Sequence, residues 1–450
     1  MIISEIRYNQ AFEKLRFDAE YYQPEFLKTE AILIKIGSAP LNDVAKFSKL
    51  RRDPKKDQEK DFEYIDISNI NISSGDINIQ TLKGHQAPSR ARKVVRGNDV
   101  IISTVRPNRN AVAIIPEELN NQICSTGFAV IQAEEINPLF LFVYLKTKYA
   151  INQLVRMTVA SMYPAVSEDD IGSILIPIPP PFIQQKIESF VKDSYQKRKK
   201  ADINYKEAEE LLIKTLGIKE FKEEEEKIYE VKFFEIEERL DAEYYKPKYM
   251  EIIRSLKSNG IYDVCNLNEI TKEIRYGTSE DLDYTESGVP FLRLVELNEA
   301  FSFDLSEIKY IRESDAQRLK TFSVQEGDLL ISRTGTVGCT VYIDQALSNS
   351  IFGSYFIRVR IRKDFNPLYV SFFLNSIYGK FQSERKKTGA VQTNLTIPAI
   401  LSLKIALPPR EKQDEICKKY LEGIALRKEG KKLLEKAKRE VEKFIESNSG

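Results

Sequence analysis

The stretch "RFDAEYYQPEF" at residues 16–26 is written almost unchanged a second time, as "RLDAEYYKPKY" at residues 239–249. Such self-similarity over a long separation is the signature of an internal repeat. Because both copies keep the phrase, we expect it to serve the scaffold, with its tyrosine rings buried as an anchor. The alternative is a metal site built on Asp18 and Glu20, but no supporting ligand motif accompanies these residues.

The similarity continues along both halves of the chain in nearly constant register. Three further pairs of stretches align: "NDVIISTVRPNRNAVAII" (98–115) with "GDLLISRTGTVGCTVYI" (327–343), "INPLFLFVYLKT" (136–147) with "FNPLYVSFFLNS" (365–376), and "ILIPIPPPFIQQKI" (174–187) with "LKIALPPREKQDEI" (403–416). Two halves that share one order and one register are two copies of a single unit.

Each copy has the same order of predicted elements. Branched apolar runs broken by Gly, Asn and Pro predict short strands and turns. An apolar segment that opens with Asn-Pro predicts a helix. A Pro-Pro pair then precedes a long, highly charged helix. The predicted fold class is α+β, with two homologous mixed α/β globular domains and two long helices.

The long helices are expected to run from about Pro181 to Leu216 and from about Pro409 to Phe444. At 1.5 Å per residue, each spans roughly 50 Å. Their apolar residues are spaced three and four apart, which predicts that the helices pack along their lengths as a coiled coil. We expect Gly423 and Gly430 to allow close approach of the two backbones, since glycine otherwise weakens a helix. The predicted seam residues are Ile183, Ile187, Phe190, Ala201, Ala208 and Leu211 in the first helix, and Ile416, Tyr420, Gly423, Gly430, Leu434, Ala437, Val441 and Phe444 in the second.

The domain organisation follows from this order. An acidic run, Glu223–Glu226, marks a solvated linker between the two copies. The predicted segments are a first globular domain (1–179), the first long helix (180–217), the linker (218–237), a second globular domain (238–407) and the second long helix (408–450).

Composition narrows the class of protein. A chain of 450 residues fits two or three domains, and 42% hydrophobic with 30% charged residues is typical of a globular protein. No run approaches the ~18 to 20 apolar residues that cross a bilayer, so we expect a cytoplasmic protein without membrane contact. The formal net charge is +1, so any DNA binding must come from local patches.

Cysteine and histidine usage excludes several kinds of site. The four cysteines are scattered and form no C-x-x-C pair, which argues against a zinc site and against disulfides. The single histidine, His85, has no partner at ligand spacing and is interpreted as a loop residue. We expect no metal and no cofactor.

The whole arrangement resembles the specificity (S) subunit of Type I restriction–modification enzymes. The resemblance covers almost the whole chain. It rests on the repeated "R-[FL]-D-A-E-Y-Y-x-P", on "GDLLISRTGTVG" (327–338), on "TGAVQTNL" (388–395) and on "P-P-x-x-x-Q-x-x-I" at both helix starts. The first copy departs from the pattern with "STVRPNRNA" and "TVASMYPAV" at the corresponding places.

The resemblance implies a function and a set of partners. Each globular domain would be a target recognition domain that reads one half of a bipartite double-stranded DNA site, and unequal domains imply an asymmetric site. The long helices would lie antiparallel in a pseudo-twofold layout, set the spacing of the half-sites and dock two methyltransferase (M) subunits, which restriction (R) subunits could join. The chain itself would catalyse nothing.

Residues suited to DNA contact are concentrated in the turns of both copies. Lys and Arg bind phosphates, Arg also pairs with guanine, and Asn or Gln pairs with adenine. The candidates are Arg51, Arg52, Lys55, Lys56, Arg90, Arg92, Arg106, Asn108, Arg109, Ser161 and Tyr163 in the first copy, and Arg275, Tyr276, Thr278, Arg333, Thr334, Lys386, Lys387, Gln392 and Asn394 in the second. Arg385, Lys93 and Asn110 belong to the same stretches.

The repeat separates base reading from scaffolding. If the copies read different half-sites, base-reading residues should lie where the copies differ. Residues kept in both copies should serve the scaffold, the phosphates or partner subunits. By this criterion the shared pairs are excluded as base readers, namely Asp99/Asp328, Ser103/Ser332, Pro179/Pro408 and Gln184/Gln413.

Two other classes of function remain as alternatives. A self-contained methyltransferase or nuclease is disfavoured because the chain carries no "NPP[FY]", phosphate-loop or H-E-x-x-H motif. The other alternative is a tandem scaffold that binds only proteins. Unlike a DNA-recognition subunit, such a scaffold would not retard DNA in an electrophoretic mobility-shift assay.

Overall fold

The computed structural model describes residues 5–6, 16–158, 164–218, 228–237, 239–258, 261–297, 301–303, 308–389 and 393–449. The chain divides into two compact units. The first unit comprises Met1–Arg198 together with Lys428–Gly450, and the second unit comprises Lys199–Arg427. Each long helix is divided between the two units and is given below with the unit in which it begins.

The globular part of the first unit mixes short strands with short helices. Its four-stranded sheets have the orders β2-β9-β6-β7 and β4-β3-β8-β5, and β1 pairs with β10. The strands are β1 (Ala39–Pro40), β2 (Ala45–Phe47), β3 (Asp61–Ile65), β4 (Gln80–Lys83), β5 (Ala91–Val94), β6 (Val100–Ser103), β7 (Val112–Ile114), β8 (Ile123–Ser125), β9 (Phe128–Ala133) and β10 (Leu175–Ile176), and the helices are α1 (Pro24–Lys35), α2 (Leu41–Val44), α3 (Pro138–Leu145), α4 (Lys148–Met157), α5 (Glu168–Ser173) and the long α6 (Pro181–Leu216).

The second unit repeats this architecture. Its sheets have the orders β12-β18-β15-β16 and β14-β13-β17, and β11 pairs with β19. The strands are β11 (Val264–Asn266), β12 (Thr271–Tyr276), β13 (Val289–Leu292), β14 (Lys309–Ile311), β15 (Asp328–Ser332), β16 (Thr340–Tyr342), β17 (Ile351–Phe352), β18 (Phe356–Ile361) and β19 (Lys404–Ala406), and the helices are α7 (Pro247–Ser258), α8 (Leu267–Ile270), α9 (Glu313–Arg318), α10 (Pro367–Asn375), α11 (Ile377–Lys386), α12 (Ile397–Leu401) and the long α13 (Arg410–Asn448).

The topology of the two units matches in detail. In each, a parallel pair of strands (β3 with β8, β13 with β17) lies within an otherwise antiparallel sheet. In the second unit, the strand equivalent to β5 is reduced to a single β-bridge between Ser323 and Ile351. The predicted fold class, two homologous mixed α/β domains, is confirmed.

Buried strands and capped helices explain why these residues adopt this fold. The runs "VIIS" of β6 and "DLLIS" of β15 are buried along their whole length, as expected for central strands covered on both faces. The Asn-Pro prediction is also confirmed. Asn137 and Asn366 each accept hydrogen bonds from two backbone N–H groups at the start of α3 and α10, which satisfies donors that a helix leaves unpaired.

The long helices pack antiparallel. In the first unit, Lys186 pairs with Glu440 at 2.7 Å and Lys197 with Glu429 at 2.5 Å. In the second unit, Lys419 pairs with Glu207 at 2.6 Å. As the residue numbers increase along α6, the numbers of their partners decrease along α13, so the two helices run in opposite directions. Helix α6 has the predicted bounds, whereas α13 extends past Phe444 to Asn448.

Both seam glycines lie where the helix backbones come close, as predicted. A Cβ atom on Gly430 would lie 3.0 Å from the carbonyl oxygen of Ser194, and one on Gly423 would lie 3.1 Å from that of Ala201. The Ser194 hydroxyl donates to the Gly430 carbonyl at 2.6 Å. Leu211 packs partly buried against the core, as Ile183, Phe190 and Phe444 also do. The prediction missed Leu212, which is fully buried because the helical period of 3.6 residues places the next buried position four residues after Ala208.

Candidate nucleic-acid interface

The opening phrase forms the same clasp in both units. The guanidinium of Arg16 donates to both carboxylate oxygens of Asp18 at 2.6 and 2.7 Å, and Arg239 does so to Asp241 at 2.7 Å for both bonds. These bonds hold the pKa of each aspartate below its usual range. The hydroxyl of Tyr22 donates to the Arg16 carbonyl at 3.0 Å. The carboxylates are therefore committed to arginine, not to a metal.

A buried arginine from a helix completes each clasp. Arg156 of α4 donates to the Tyr21 carbonyl at 2.9 Å and lies 4.1 Å from that ring's centroid. Arg385 of α11 donates to the Tyr244 carbonyl at 3.0 Å and lies 3.8 Å from its ring. The predicted tyrosine anchor is confirmed. Arg385, which the sequence grouped with DNA-contacting residues, is 3% exposed and serves this scaffold.

The shared polar residues also hold the scaffold together. Asp99 and Asp328 each accept a backbone N–H bond at the start of a central strand, at 2.8 and 2.9 Å. Burial raises the pKa of Asp99. Gln184 and Gln413 donate to the carbonyls of Pro179 and Pro408, at 2.9 and 2.7 Å. Each such bond fixes a Pro-Pro stretch against the first turn of a long helix.

In the first unit, two basic stretches that are far apart in sequence lie side by side. The backbone N–H of Arg52 donates to the Arg92 carbonyl at 2.9 Å, and that of Val94 donates to the Leu50 carbonyl at 3.0 Å. We call the exposed residues that this pairing brings together the basic edge. They are Arg51, Arg52, Lys55, Lys56 and Arg90.

Two neighbours of the basic edge are held within the protein. Arg92 is partly buried, donates to the Ala91 carbonyl and lies 3.3 Å from the Asp53 carboxylate. Lys93 is buried and bonds to the Phe128 carbonyl at 2.6 Å and to Glu168 at 2.5 Å. Lys93 is therefore part of the domain core.

A third stretch, residues 104–110, extends the basic edge. The Thr126 N–H donates to the Arg90 carbonyl at 2.9 Å, and the Thr104 N–H donates to the Gly127 carbonyl at 2.8 Å. One short turn thus links the basic edge to this stretch. Asn108 and Arg109 are exposed here.

Strain and packing fix the conformation of residues 104–110. Arg106 has a φ of +50° and Asn110 one of +53°, a left-handed conformation that is uncommon outside glycine. The Arg106 N–H donates to the Pro164 carbonyl at 2.7 Å. Asn110 is buried and donates to the Leu145 carbonyl at 2.7 Å. Ser161 and Tyr163 lie outside the described residues.

In the second unit, three separate stretches meet around an arginine. The Arg333 guanidinium lies 4.9 Å from the centroid of the Tyr276 ring. The Arg333 carbonyl accepts the Leu395 N–H at 2.9 Å, and the Tyr276 hydroxyl accepts the Ile397 N–H at 3.3 Å. We call Tyr276, Arg333 and the backbone around Leu395 the stacked edge.

Other candidates of the second unit surround the stacked edge. Asn394 exchanges two backbone bonds with Thr388 at 2.8 and 3.0 Å. The Arg275 side chain is 42% exposed and lies 3.8 Å from Glu273. Lys386 and Lys387 are partly buried, and the Lys387 carbonyl accepts a bond from Arg239 at 3.0 Å. Gln392 lies outside the described residues.

Two threonines among the candidates are buried. Thr278 is 5% exposed and its hydroxyl accepts the Glu280 N–H at 3.2 Å. Thr334 is 8% exposed, and in the described part of the chain neither its hydroxyl nor Nε of Arg333 has a hydrogen-bond partner. Both atoms are buried, and a buried polar atom without a partner is uncommon in folded proteins.

Sequence reasoning missed Tyr355, which lies next to the stacked edge. Its carbonyl accepts the Arg333 N–H at 2.9 Å, and its side chain is 51% exposed. The corresponding bond in the first unit, from Thr104, ends on Gly127. Aligning the two copies at Gly127 and Tyr355 would have revealed this difference.

Metal-binding clusters and membrane-spanning helices are both absent from the described residues. Over the described ranges, no group of three or more His, Cys, Asp or Glu side chains could hold a metal ion. No helix in the same ranges is both long and apolar enough to cross a membrane.

The chain is similar to known proteins in sequence and in structure. The chain is 29% identical over 106 residues to the "Type I restriction enzyme HindI specificity subunit" of Haemophilus influenzae, and this match spans 22% of this chain and only 23% of that relative. A crystal structure of the HsdS subunit from Thermoanaerobacter tengcongensis shares 25% identity, covering 89% of this chain and 96% of that one, with a TM-score of 0.33. A crystal structure of the S subunit of a Type-I restriction-modification system from M. genitalium shares 11% identity, covering 92% and 94%, with a TM-score of 0.44.

A family model matches both halves of the chain. The model for the Type I restriction modification DNA specificity domain matches residues 36–205 and again residues 257–436. Each match contains one copy of the repeated strands and one of the edges described above. The chain therefore belongs to the Type I restriction modification DNA specificity family and carries two copies of the family's domain.

Proposed function

We propose that this chain is the non-catalytic DNA-recognition subunit of a Type I restriction–modification complex. Each unit reads one half of a bipartite, asymmetric site. The observation that carries the proposal is that one scaffold, with the same hydrogen bonds, occurs twice and presents different side chains at corresponding positions. Such an arrangement serves two different ligands of one chemical class, and two DNA half-sites are such ligands.

The basic edge supplies the DNA contact of the first unit. Its exposed arginines and lysines suit phosphates, which give affinity that falls as salt concentration rises. Arg106, Asn108 and Arg109 adjoin it and bring side chains that discriminate base edges. We assign Ser161 and Tyr163 to the same contact from the sequence alone, because their stretch differs between the two copies.

The stacked edge supplies the DNA contact of the second unit. Stacking on Tyr276 holds the Arg333 guanidinium in a defined plane, and an arginine in a fixed plane suits bidentate pairing with guanine. Arg275, Lys386, Lys387 and Asn394 contact DNA beside this base reader, and we assign Gln392 to the same contact from the sequence alone. Buried Thr278 and Thr334 act by shaping the backbone beside the base reader.

The helices and the partners follow from the same proposal. The segments are a first recognition domain (1–179), a first spacer helix (180–217), a linker (218–237), a second recognition domain (238–407) and a second spacer helix (408–450). The paired long helices set the gap between half-sites and dock two methyltransferase (M) subunits, which restriction (R) subunits can join. Neither a cofactor nor a membrane is needed by the chain itself.

Selection from random DNA tests this function. The full chain, bound to its M subunits, would select duplexes from a randomised pool, and the selected duplexes would be sequenced. We expect two short conserved blocks separated by unread bases. Recovery of no common sequence, with DNA bound equally at all sites, would overturn the proposal.

The Arg333→Ala variant sharpens the same experiment. We expect it to relax the choice at one base pair of one block, with about 1–3 kcal/mol less discrimination, because one bidentate pair is lost. Arg254→Ala is the matched control, since this arginine is 58% exposed and pairs with Glu235. A change in both blocks would contradict the assignment of one block to each unit.

A further inference from the structure

We infer that Tyr355 is a specificity-determining residue of the second unit, whose ring contacts the edge of a base next to the one that Arg333 reads. The inference rests on the proposed function, and it adds a reader that no sequence motif marks. The chemistry expected of the contact is apolar, between the aromatic ring and a base edge such as the methyl group of thymine.

Tyr355 is held on a rigid turn. The turn connects β17 to β18, and the Phe356 N–H donates to the Gly353 carbonyl at 3.1 Å to close it. Gly277 packs directly against this turn, because a Cβ atom there would lie 2.1 Å from the Gly353 carbonyl oxygen. Backbone contact this close leaves the turn little freedom, and the exposed ring projects from a fixed base.

The turn lies between two stretches that the proposed function assigns to DNA. On one side, the Thr278 N–H donates to the Phe352 carbonyl at 3.1 Å. On the other, the Arg333 N–H donates to the Tyr355 carbonyl at 2.9 Å. Tyr355 and Arg333 are thus backbone neighbours, so their side chains serve adjacent parts of one surface.

The first unit shows that the scaffold does not require an aromatic ring here. Its equivalent bond runs from Thr104 to the carbonyl of Gly127 at 2.8 Å. Gly127 is buried, and a Cβ atom on it would lie 2.7 Å from the Cδ1 atom of Ile67. The backbone contact is common to both copies while the side chain is not, which is the pattern expected of a base reader.

Energetics favour a ligand for this ring. Covering a half-exposed tyrosine ring on binding is favourable by about 25 cal/mol per Å² of apolar surface. A tyrosine has only two side-chain torsions to fix, so binding through it costs little conformational entropy. A ring on a rigid turn therefore gains contact area with DNA at small cost.

The experiment compares three variants of the full chain, each bound to its M subunits, in selection from the randomised DNA pool. Tyr355→Gly introduces the residue that the first copy carries, and Tyr355→Phe keeps the ring without its hydroxyl. Ile261→Ala is the control, since Ile261 is 53% exposed in the same unit but lies beside Leu407 and Pro408.

We expect Tyr355→Gly to lose at least a fivefold preference at one base pair adjacent to the position affected by Arg333→Ala. Tyr355→Phe and Ile261→Ala should select the wild-type sequence. An unchanged selected sequence for Tyr355→Gly, with or without weaker binding, would overturn the inference while leaving the proposed function intact. If the wild-type complex selects no sequence at all, the proposed function fails and this inference fails with it.

Discussion

The basic edge of the first unit and the stacked edge of the second are built on one backbone frame but carry different chemistry. In both, the residue that directly follows a buried central strand makes the same two backbone bonds: Thr104 bonds to Gly127 and Val166, and Arg333 bonds to Tyr355 and Leu395. Around Thr104 the side chains are exposed and cationic. Around Arg333 they are an aromatic pair and a guanidinium.

This difference shows how two copies of one fold can keep the same backbone frame and carry different side chains. Backbone hydrogen bonds between stretches do not depend on side-chain identity, so the frame tolerates substitution at its exposed positions. The clasp, the capped helices and the Pro-Pro junctions are buried or bonded through specific side chains, and these recur in both copies. Exposed positions of the two edges differ between the copies, and so do some buried positions, such as Lys146 and Asn375.

The largest expected effect comes from removing the clasp arginines. Arg156→Ala and Arg385→Ala should each lower the free energy of unfolding by about 3–5 kcal/mol, because a buried, charge-paired group is lost and its carbonyl partner is left unpaired. Chemical denaturation followed by circular dichroism would measure this. Arg254→Ala, a surface pair, should cost less than about 1 kcal/mol. If only one clasp variant were destabilised, the two copies would not be equivalent.

The second test concerns Lys146, whose position in the second unit is occupied by the neutral Asn375. Burial, with Lys438 and Arg198 nearby, lowers the pKa of Lys146 to about 7, while its amine donates to the Ile72 carbonyl at 2.7 Å. The unfolded chain binds more protons between pH about 7 and the ordinary lysine pKa of about 10.4, so stability should rise with pH across this window. Lys146→Met should remove that rise, by denaturation at several pH values. An unchanged pH dependence would show that Lys146 is not the group responsible.

The seam glycines provide a smaller contrast. A Cβ atom on Gly430 would lie 2.9 Å from the Cγ atom of Arg198, whereas the nearest atom to one on Gly423 is 3.1 Å away. Gly430→Val should therefore destabilise by about 1–3 kcal/mol through overpacking, and Gly423→Ala should cost less, since improved helix propensity offsets its tighter contact. Thermal unfolding would rank them. The reverse ranking would contradict the packing described for the two seams.

The smallest effect is expected at the basic edge. Lys56→Ala should weaken binding to all sequences alike and lower the slope of log affinity against log salt by about 0.9, the contribution of one phosphate contact. Titrations at several salt concentrations would measure it. Lys28→Ala, an exposed lysine of α1, should leave the slope unchanged. A change in selected sequence for Lys56→Ala would mean that this residue reads a base.

Much of the fold could be predicted from the sequence. Helix α6, the Asn-Pro helix starts, the role of Gly423 and Gly430 and the buried tyrosine pairs follow from short-range patterns, in which the cause and the structure lie within a few residues. The DNA surfaces could be predicted only as a set of basic turns. Arg385 and Lys93 were grouped with exposed cations although both are buried, because the groups that pair with them lie 35 or more residues away in sequence.

The sequence by itself determined that the chain contains one unit twice, that each copy begins with a tyrosine anchor and ends in a long helix, and which family it belongs to. Only the tertiary structure decided which side chains share a surface. Bonds such as Arg333 to Tyr355 and Thr104 to Val166 join stretches that carry no local signal for one another. The role of "RFDAEYYQPEF" could be predicted because the phrase repeats. Its contact with the buried Arg156 could be identified only from the tertiary structure.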